Sequence, residues 1–526
     1  VLALVTVAAV LSGCSLGPGT TADSQAADFD QLARHVPNNA ETPFFFDFKP
    51  EGEVERRWTH MRQRLEADPT TAELLAGLLA QYKVEAYGLE GVIEGPAVAG
   101  YWEGAQYAIL QVGDERAARE VLIANLGEES AWDQTEYNGR ILYQGRFLES
   151  GGGFTHLTWA VADGLVFLVY RTDYLSTKNL QRLLSLPEDE AMATLPTWQA
   201  QQRRLPDDLL GLAFVPFDQL TNRSSEPYEE TDALARLPWY MDSVVLMIVP
   251  EEAGIRVAID GVFAPHAEEM PELKTLFDLP PVDAAAWPGL PADTAVAVIT
   301  RNAAAVMPWL RGILGLESSY PRIRETISLD LESDLLAEGG PLEGAFAAGL
   351  MPPQPGQPVL GELPALQILI TSPDTTVTQA DALGAAMEGR DAVLGDDVVE
   401  GVSIHRQVGT EMSGYAVAYG FDGDVFYLGS SPDAIGKGAA AQRDGTGMGN
   451  EAAYQVLLDA MPGNAFFTSY VQGGRLLEVL EANVPVGAEN VANLAFEAAA
   501  AFDGIGLSLS ISPERIEGVF YLVLLD

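Results

Sequence analysis

The sequence predicts an α+β protein: a tandem duplication of two similar modules, each mostly antiparallel sheet with packed helices. Three observations predict it. A proline turn that opens an apolar strand occurs four times at two matched spacings, an Asp-Gly hairpin recurs at the same place in each half, and helical periodicity fills the gaps between strands. At 526 residues the chain also exceeds what one hydrophobic core usually serves.

The turns are Pro37-Asn38-Asn39-Ala40 before Phe44-Phe45-Phe46, Pro206-Asp207-Asp208-Leu209 before Leu212 to Val215, Pro291-Ala292-Asp293-Thr294 before Ala295 to Ile299, and Pro462-Gly463-Asn464-Ala465 before Phe466-Phe467. Proline fixes φ and gives no donor to a ladder, while Asn or Asp folds its side chain onto the turn, so the pattern suits the start of a strand. Pro37 and Pro206 stand 169 positions apart, Pro291 and Pro462 171. Between them, Tyr107 to Val112 followed by Asp114-Glu115-Arg116-Ala117 corresponds to Leu366 to Ile370 followed by Asp374-Thr375-Thr376. The strand after Gly139 matches the strand after Gly401. Trp159 to Leu168 turns through Asp163-Gly164, and Tyr415 to Leu428 turns through Asp422-Gly423-Asp424; Asp-Gly between apolar runs is a strong hairpin signal. A helix is expected after each hairpin, opening at Thr172-Asp173 and at Ser431-Pro432-Asp433, and each half closes with a hairpin, near Pro250 to Gly254 and near Pro513-Glu514. Apolar residues at spacings of three and four predict helices over 54–65, 71–82, 117–126 and 476–482.

The single cysteine, Cys14, closes Leu11-Ser12-Gly13-Cys14 behind the apolar run Val1 to Val10. An apolar region ending in small residues marks a secretory signal, and a cysteine at the cleavage point is the lipid acceptor of a lipobox. A run of ten residues falls short of the roughly 20 that span a bilayer. The predicted organisation is therefore a signal peptide with lipobox over 1–14, a flexible tether over 15–30, an α+β module over 31–264, a Pro-rich linker over 265–288 and a second α+β module over 289–526. The expected location is the outer side of the cell membrane, periplasmic or extracellular, with lipid on Cys14 as the membrane contact.

Lys+Arg 30 against Asp+Glu 75 gives a net charge of −45, which repels nucleic acid and anionic lipid headgroups. With Cys14 given to lipid, no disulfide or thiol ligand remains. The strand-opening turns, the helix after the central strand, the Asp-Gly hairpin and the second proline turn together resemble an uncharacterised family of bacterial exported proteins, domain of unknown function 3352, from about Pro37 to the C-terminus. The resemblance implies the duplication and the envelope address; that family has no assigned activity or catalytic residues to carry over.

Motifs for chemistry are sparse. His35, His60, His156, His266 and His405 are scattered singly, whereas a catalytic zinc site normally takes three converging ligands. The run Gly429 to Gly438 lacks the spacing and the Ser or Thr of a phosphate loop and reads as a hairpin end leading into a helix; Gly445 to Gly449 reads as a loop. Asp330, Glu332 and Asp334, or Asp422 with Asp424, are the candidate ligands for a hard cation such as calcium, set against solvated turn and strand faces. Phe44, Phe45, Phe46 and Phe48 read as a buried strand. The expected function is a non-enzymatic envelope lipoprotein that works through protein or polymer contacts, without cofactor. The alternative is a solute- or cation-binding protein with its site between the modules, and a third reading is a carboxylate-dependent hydrolase.

Overall fold

The computed structural model describes residues 25–67, 88–126, 132–148, 154–171, 175–217, 241–265, 289–301, 330–353 apart from 338, 367–408 apart from 391, 416–483 and 502–524, with isolated positions between 267 and 282. It is an α+β protein dominated by antiparallel strands. The described residues fall into two compact units: unit 1 holds those up to 226 with 241–262, and unit 2 those from 263 onward.

Unit 1 carries helix α1 (Gln25–Ala33), strand β1 (Glu41–Asp47), α2 (Gly52–Ala67), β2 (Ile93–Trp102), β3 (Ala105–Val112), α3 (Glu115–Leu126), β4 (Asp133–Tyr137), β5 (Arg140–Leu148), β6 (Phe154–Ala162), β7 (Leu165–Arg171), α4 (Ser176–Leu184), α5 (Pro196–Gln202), β8 (Gly211–Val215), β9 (Met241–Glu251) and β10 (Gly254–Phe263). Its strands lie in the order β4-β5-β6-β7-β3-β2-β1-β8-β9-β10. Unit 2 carries β11 (Val296–Arg301), β12 (Ala345–Met351), β13 (Gln367–Ser372), α6 (Val377–Glu388), β14 (Val393–Val399), β15 (Val402–Val408), β16 (Ala418–Asp422), β17 (Val425–Gly429), α7 (Pro432–Asp444), α8 (Ala452–Ala460), β18 (Phe467–Gln472), α9 (Gly473–Asn483), β19 (Gly504–Ile511) and β20 (Arg515–Val523). Its order is β14-β15-β16-β17-β13-β12-β11-β18-β19-β20. The two orders are the same order.

Register agrees as well as order. Phe45 of β1 faces Val98 and Leu212, and Ile299 of β11 faces Ala347 and Thr468. The proline turns do what their chemistry suggests. Ala40 donates to the Pro37 carbonyl (3.0 Å) and Thr294 to the Pro291 carbonyl (3.1 Å), closing the turn ahead of each first strand. Each proline also makes an isolated bridge, Pro37 with Ala191 and Pro291 with Gly447. Beside these bridges the Met192 amide donates to Val36 and the Met448 amide to Leu290, both at 2.8 Å. Asn39 accepts from Trp102 Nε1 (2.9 Å), and Asp293, two residues after its own proline, pairs with Lys437 (2.9 Å).

The hairpin turns hold positive φ where the sequence supplies Gly behind a polar or acidic residue. Asn138-Gly139 and Glu400-Gly401 link β4 to β5 and β14 to β15 with both residues left-handed. Helix starts follow from capping: Asp114 Oδ1 accepts from the Arg116 and Ala117 amides before α3, and Thr376 forms a capping box with Gln379 before α6. Ser431 caps α7 with Pro432 in the first turn, as the sequence suggested. Over 54–65, 117–126 and 476–482 the helices are present as α2, α3 and α9; the helix expected over 71–82 and the start expected at Thr172-Asp173 lie outside the described residues.

The core of unit 1 is aromatic. Trp198 of α5 stacks on Phe45 (5.3 Å, 29°) and meets Phe214 of β8 edge-on (5.3 Å, 81°), all buried. Phe46 and Phe48 are buried too, and Phe44 is half-buried, as the phenylalanine run predicted. In unit 2 the matching pair is Tyr454 of α8 against Tyr470 of β18 (5.2 Å, 67°). Val282, within the proline-rich stretch, donates to the Ala465 carbonyl (2.8 Å) and packs into the unit 2 core. One alignment drawn from sequence is displaced. The ladders match Ala108, which faces Ala99 and Leu168, with Ile370, which faces Ala348 and Leu428, so β3 and β13 correspond three positions away from the sequence-based match.

Candidate functional site

The predicted candidates disperse. Cys14 and His266 lie outside the described residues. His60 is exposed on α2, His156 stands in β6 opposite Arg146 and Arg171, and His405 of β15 bonds Asp396 (2.8 Å) beside the Tyr419 ring. Among the described residues no group of three or more His, Cys, Asp or Glu is placed to hold a metal. Asp330 to Asp334 forms neither a turn nor a strand face: Leu331–Leu336 is a π-helix. Asp334 is nearly buried and bonded by Nη1 and Nη2 of Arg390, by the Asp330 amide (2.7 Å) and by the Ser333 hydroxyl (3.1 Å). Burial alone would raise its pKa, but these bonds hold it below the ordinary carboxylate value. Asp422 lies 3.5 Å from Arg443, and Asp424 is exposed in the hairpin turn.

His35 is different. It opens onto a cleft of about 790 Å³ within unit 1, inside the range usual for small-molecule sites. Three helix ends build the cleft. Arg34 and His35 follow α1, Leu183 and Leu184 close α4 with Leu186 beyond, and Gln202 and Arg203 close α5; Glu188 and Ala191 come from the segment joining α4 to α5. Each helix ends in tightened turns: His35 donates to Leu32 (2.9 Å), Leu186 to Leu183 (3.3 Å) and Arg204 to Gln201 (2.9 Å). The Met192–Val36 bond fixes the end of α1 against the α4–α5 segment, and Pro196 at the first position of α5 sets that helix's direction.

Electrostatics in the cleft follow from these ends. A helix C-terminus carries partial negative charge, and arginines placed just past one complement it, as Arg34 and Arg203 do. Asp30 accepts from Trp198 Nε1 (3.2 Å) and lies 3.5 Å from Arg34. The His35 imidazole packs edge-on against Phe167 (5.9 Å, 77°). Burial lowers its pKa, Asp163 opposes the shift, and Arg140 and Arg34 add to it. The Thr194 hydroxyl donates to the Ala191 carbonyl (2.7 Å). The arrangement offers a leucine wall, an imidazole whose protonation burial disfavours, and both carboxylates and arginines, a set suited to holding a small molecule.

The class defined by this description is an antiparallel α+β protein with a cleft in its first unit. Comparison with known proteins adds little. No family model matches the sequence, and no curated protein matches it. Among solved structures, crystal form III of TP0453 is 10% identical, with 46% of this chain and 81% of that chain covered at a TM-score of 0.25. Crystal form I of TP0453 is 8% identical, with 47% and 80% covered at the same TM-score. A likeness of that size carries no argument. Among the described residues no helix is long and apolar enough to cross a membrane.

Proposed function

We propose that this is a lipid-anchored protein of the cell envelope, built by tandem duplication of one α+β module, with a non-catalytic role exercised through protein or polymer contacts. The address rests on Leu11-Ser12-Gly13-Cys14 behind its apolar run. The observation that carries the duplication is the shared ten-strand order, kept with the Pro37 and Pro291 bridges in the same place. Kinship with the domain of unknown function 3352 is part of the same reading and rests on the turns and hairpins. Mass spectrometry of the membrane-bound protein tests the anchor. The expected N-terminus is a diacylglyceryl Cys14, and Cys14→Ser should leave an unprocessed precursor or release the chain; a mature N-terminus elsewhere overturns the address.

The cleft favours a second reading, a solute-binding envelope protein. Its site would then lie inside unit 1, in place of the position between modules expected from the sequence. Ligand-dependent stabilisation, with a melting midpoint that rises with added solute, is the test.

A further inference from the structure

We propose that β14, the end strand of unit 2, takes up a strand from another protein: an extended segment whose Lys or Arg is flanked, two positions to either side, by apolar residues. This rests on the protein-contact reading. Among the described residues β14 pairs with β15 alone, so its outer edge presents backbone donors and acceptors to a further strand. The turn shows which ones. Glu400 and Gly401, both left-handed, make a two-residue loop closed by Val399 and Val402, so alternate residues back to Val393 bond β15, while Leu394, Asp396 and Val398 point their backbone groups outward. The Val398 amide agrees: it donates to the Asp397 carboxylate (2.8 Å), a bond that an incoming carbonyl can replace. The outward residues also share one side-chain face, with half-buried Leu394 and the 64% exposed Val398 on either side of Asp396. Asp396 keeps 89% of its side chain exposed although His405 bonds it (2.8 Å).

Position assigns the partner's charge. β14, its turn and β15 hold three carboxylates, Asp396, Asp397 and Glu400, against one Arg or Lys, Arg406, which pairs with Asp397 (3.1 Å) on the face opposite Asp396. The residue directly across from Asp396 is therefore cationic, and those across from Leu394 and Val398 are apolar. A second copy of the chain fits worse. Pairing β14 antiparallel with itself so that Leu394 meets Val398 sets Asp396 against Asp396 of the second copy, and a shift by two positions sets Asp396 against Leu394 or Val398. The counterpart strand in unit 1, β4, has the usual protection of an end strand: Asp133, Gln134, Thr135 and Glu136 are all exposed and polar.

The test is isothermal titration of the full mature chain in 0.15 M sodium chloride with three synthetic peptides. KTVTKTVT alternates as required and sets its second lysine against Asp396; ETVTETVT reverses the charge, and KVVTTTKT keeps the composition without the alternation. Saturable one-to-one binding of KTVTKTVT is expected, with none of the other two up to about 1 mM. Val398→Pro removes one outward donor and none that bonds β15, and should weaken binding at least about tenfold. Asp396→Lys, which changes no backbone group, should weaken it at least about tenfold as well. Glu136→Pro, the same change in β4, should leave it as it was. Equal binding of KVVTTTKT, or binding indifferent to both β14 variants, places the peptide elsewhere on the acidic surface and overturns the proposal, as does no binding at all. A concentration-dependent dimer in sedimentation that Val398→Pro dissociates assigns the edge to a second copy and overturns it too. Crosslinking of the full chain in intact cells separates the edge from the contact reading: a partner crosslinked equally to the Val398→Pro chain overturns the edge and leaves the reading standing, and no crosslinked partner overturns both.

Discussion

The place where His35 stands in unit 1 is occupied in unit 2 by Gly289, two residues before Pro291 as His35 is two before Pro37. The ladder partners match on both sides: Phe167 faces Ile109, and Tyr427 faces Thr371. In unit 1 the imidazole edge rests on Phe167. In unit 2 the glycine has positive φ, and the Tyr427 hydroxyl comes within 2.9 Å of where a Cβ would sit, donating onward to Gln442. Leu183, Leu184 and Leu186 of the cleft wall correspond to Ala439, Ala440 and Gln442, and Arg203 to Asp459. The same strand order thus carries a histidine-lined cleft in one unit and a tyrosine reaching to a glycine in the other. Ladder hydrogen bonds need only the backbone, so order and register persist while helix-end side chains change.

The largest expected effect separates the two cores. Trp198→Ala removes a buried ring that stacks on Phe45 and abuts Phe214, and should cost about 3–5 kcal/mol by urea unfolding. Tyr454→Ala removes a smaller ring and should cost less; equal losses would break the contrast between the Trp198 cluster of unit 1 and the tyrosine pair of unit 2. Next, Gly289→Ala meets both a left-handed backbone and the Tyr427 hydroxyl, for a cost of about 1–3 kcal/mol. A neutral result there would remove the argument that Tyr427 fills the place His35 holds in unit 1. Third, Asp114→Ala and Thr376→Ala hit the equivalent cap in the two units and should each cost about 1 kcal/mol. A loss in only one would show that the two helices do not depend on the same device. The smallest effect is the pH dependence of His35. Its folded pKa lies below the ordinary 6.5, so its stabilisation is fully present above that value and is lost as pH falls through the folded pKa. His35→Gln should flatten the fall below pH 6.5, read from melting midpoints; an unchanged slope would deny the buried, uncharged ring.

Much of the fold was legible because turns and caps are local chemistry. Asp163-Gly164 and Gly139 with Gly401 supply the left-handed residues that tight hairpins need, and Ser431-Pro432 fixes a helix start within four residues. Strand correspondence was less legible: the Ala108–Ile370 match is set by ladder partners distant in sequence, and apolar strands look alike when slid along one another. The cleft was not legible at all. His35 has no metal-like spacing to any partner, and leucines and arginines at helix ends are ordinary helix grammar; only the meeting of three such ends gives them a shared site. Asp334 misled for a related reason. Its acidic run suggested a hard-cation ligand, but Arg390, 56 positions on, takes the carboxylate.

Equivalence of the two units is tested most directly by cross-strand disulfides. Glu136 faces Ile141 across the β4–β5 hairpin, and Val398 faces Ser403 across β14–β15, all four side chains exposed. In a Cys14→Ser background, Glu136→Cys with Ile141→Cys and Val398→Cys with Ser403→Cys should both close on mild oxidation, counted by free thiols and mass. Pairs shifted by one position, Glu136→Cys with Arg140→Cys and Val398→Cys with Val402→Cys, should stay open. Closure in this register in both units is expected; closure in only one unit, or in the shifted register in either, would overturn the common module.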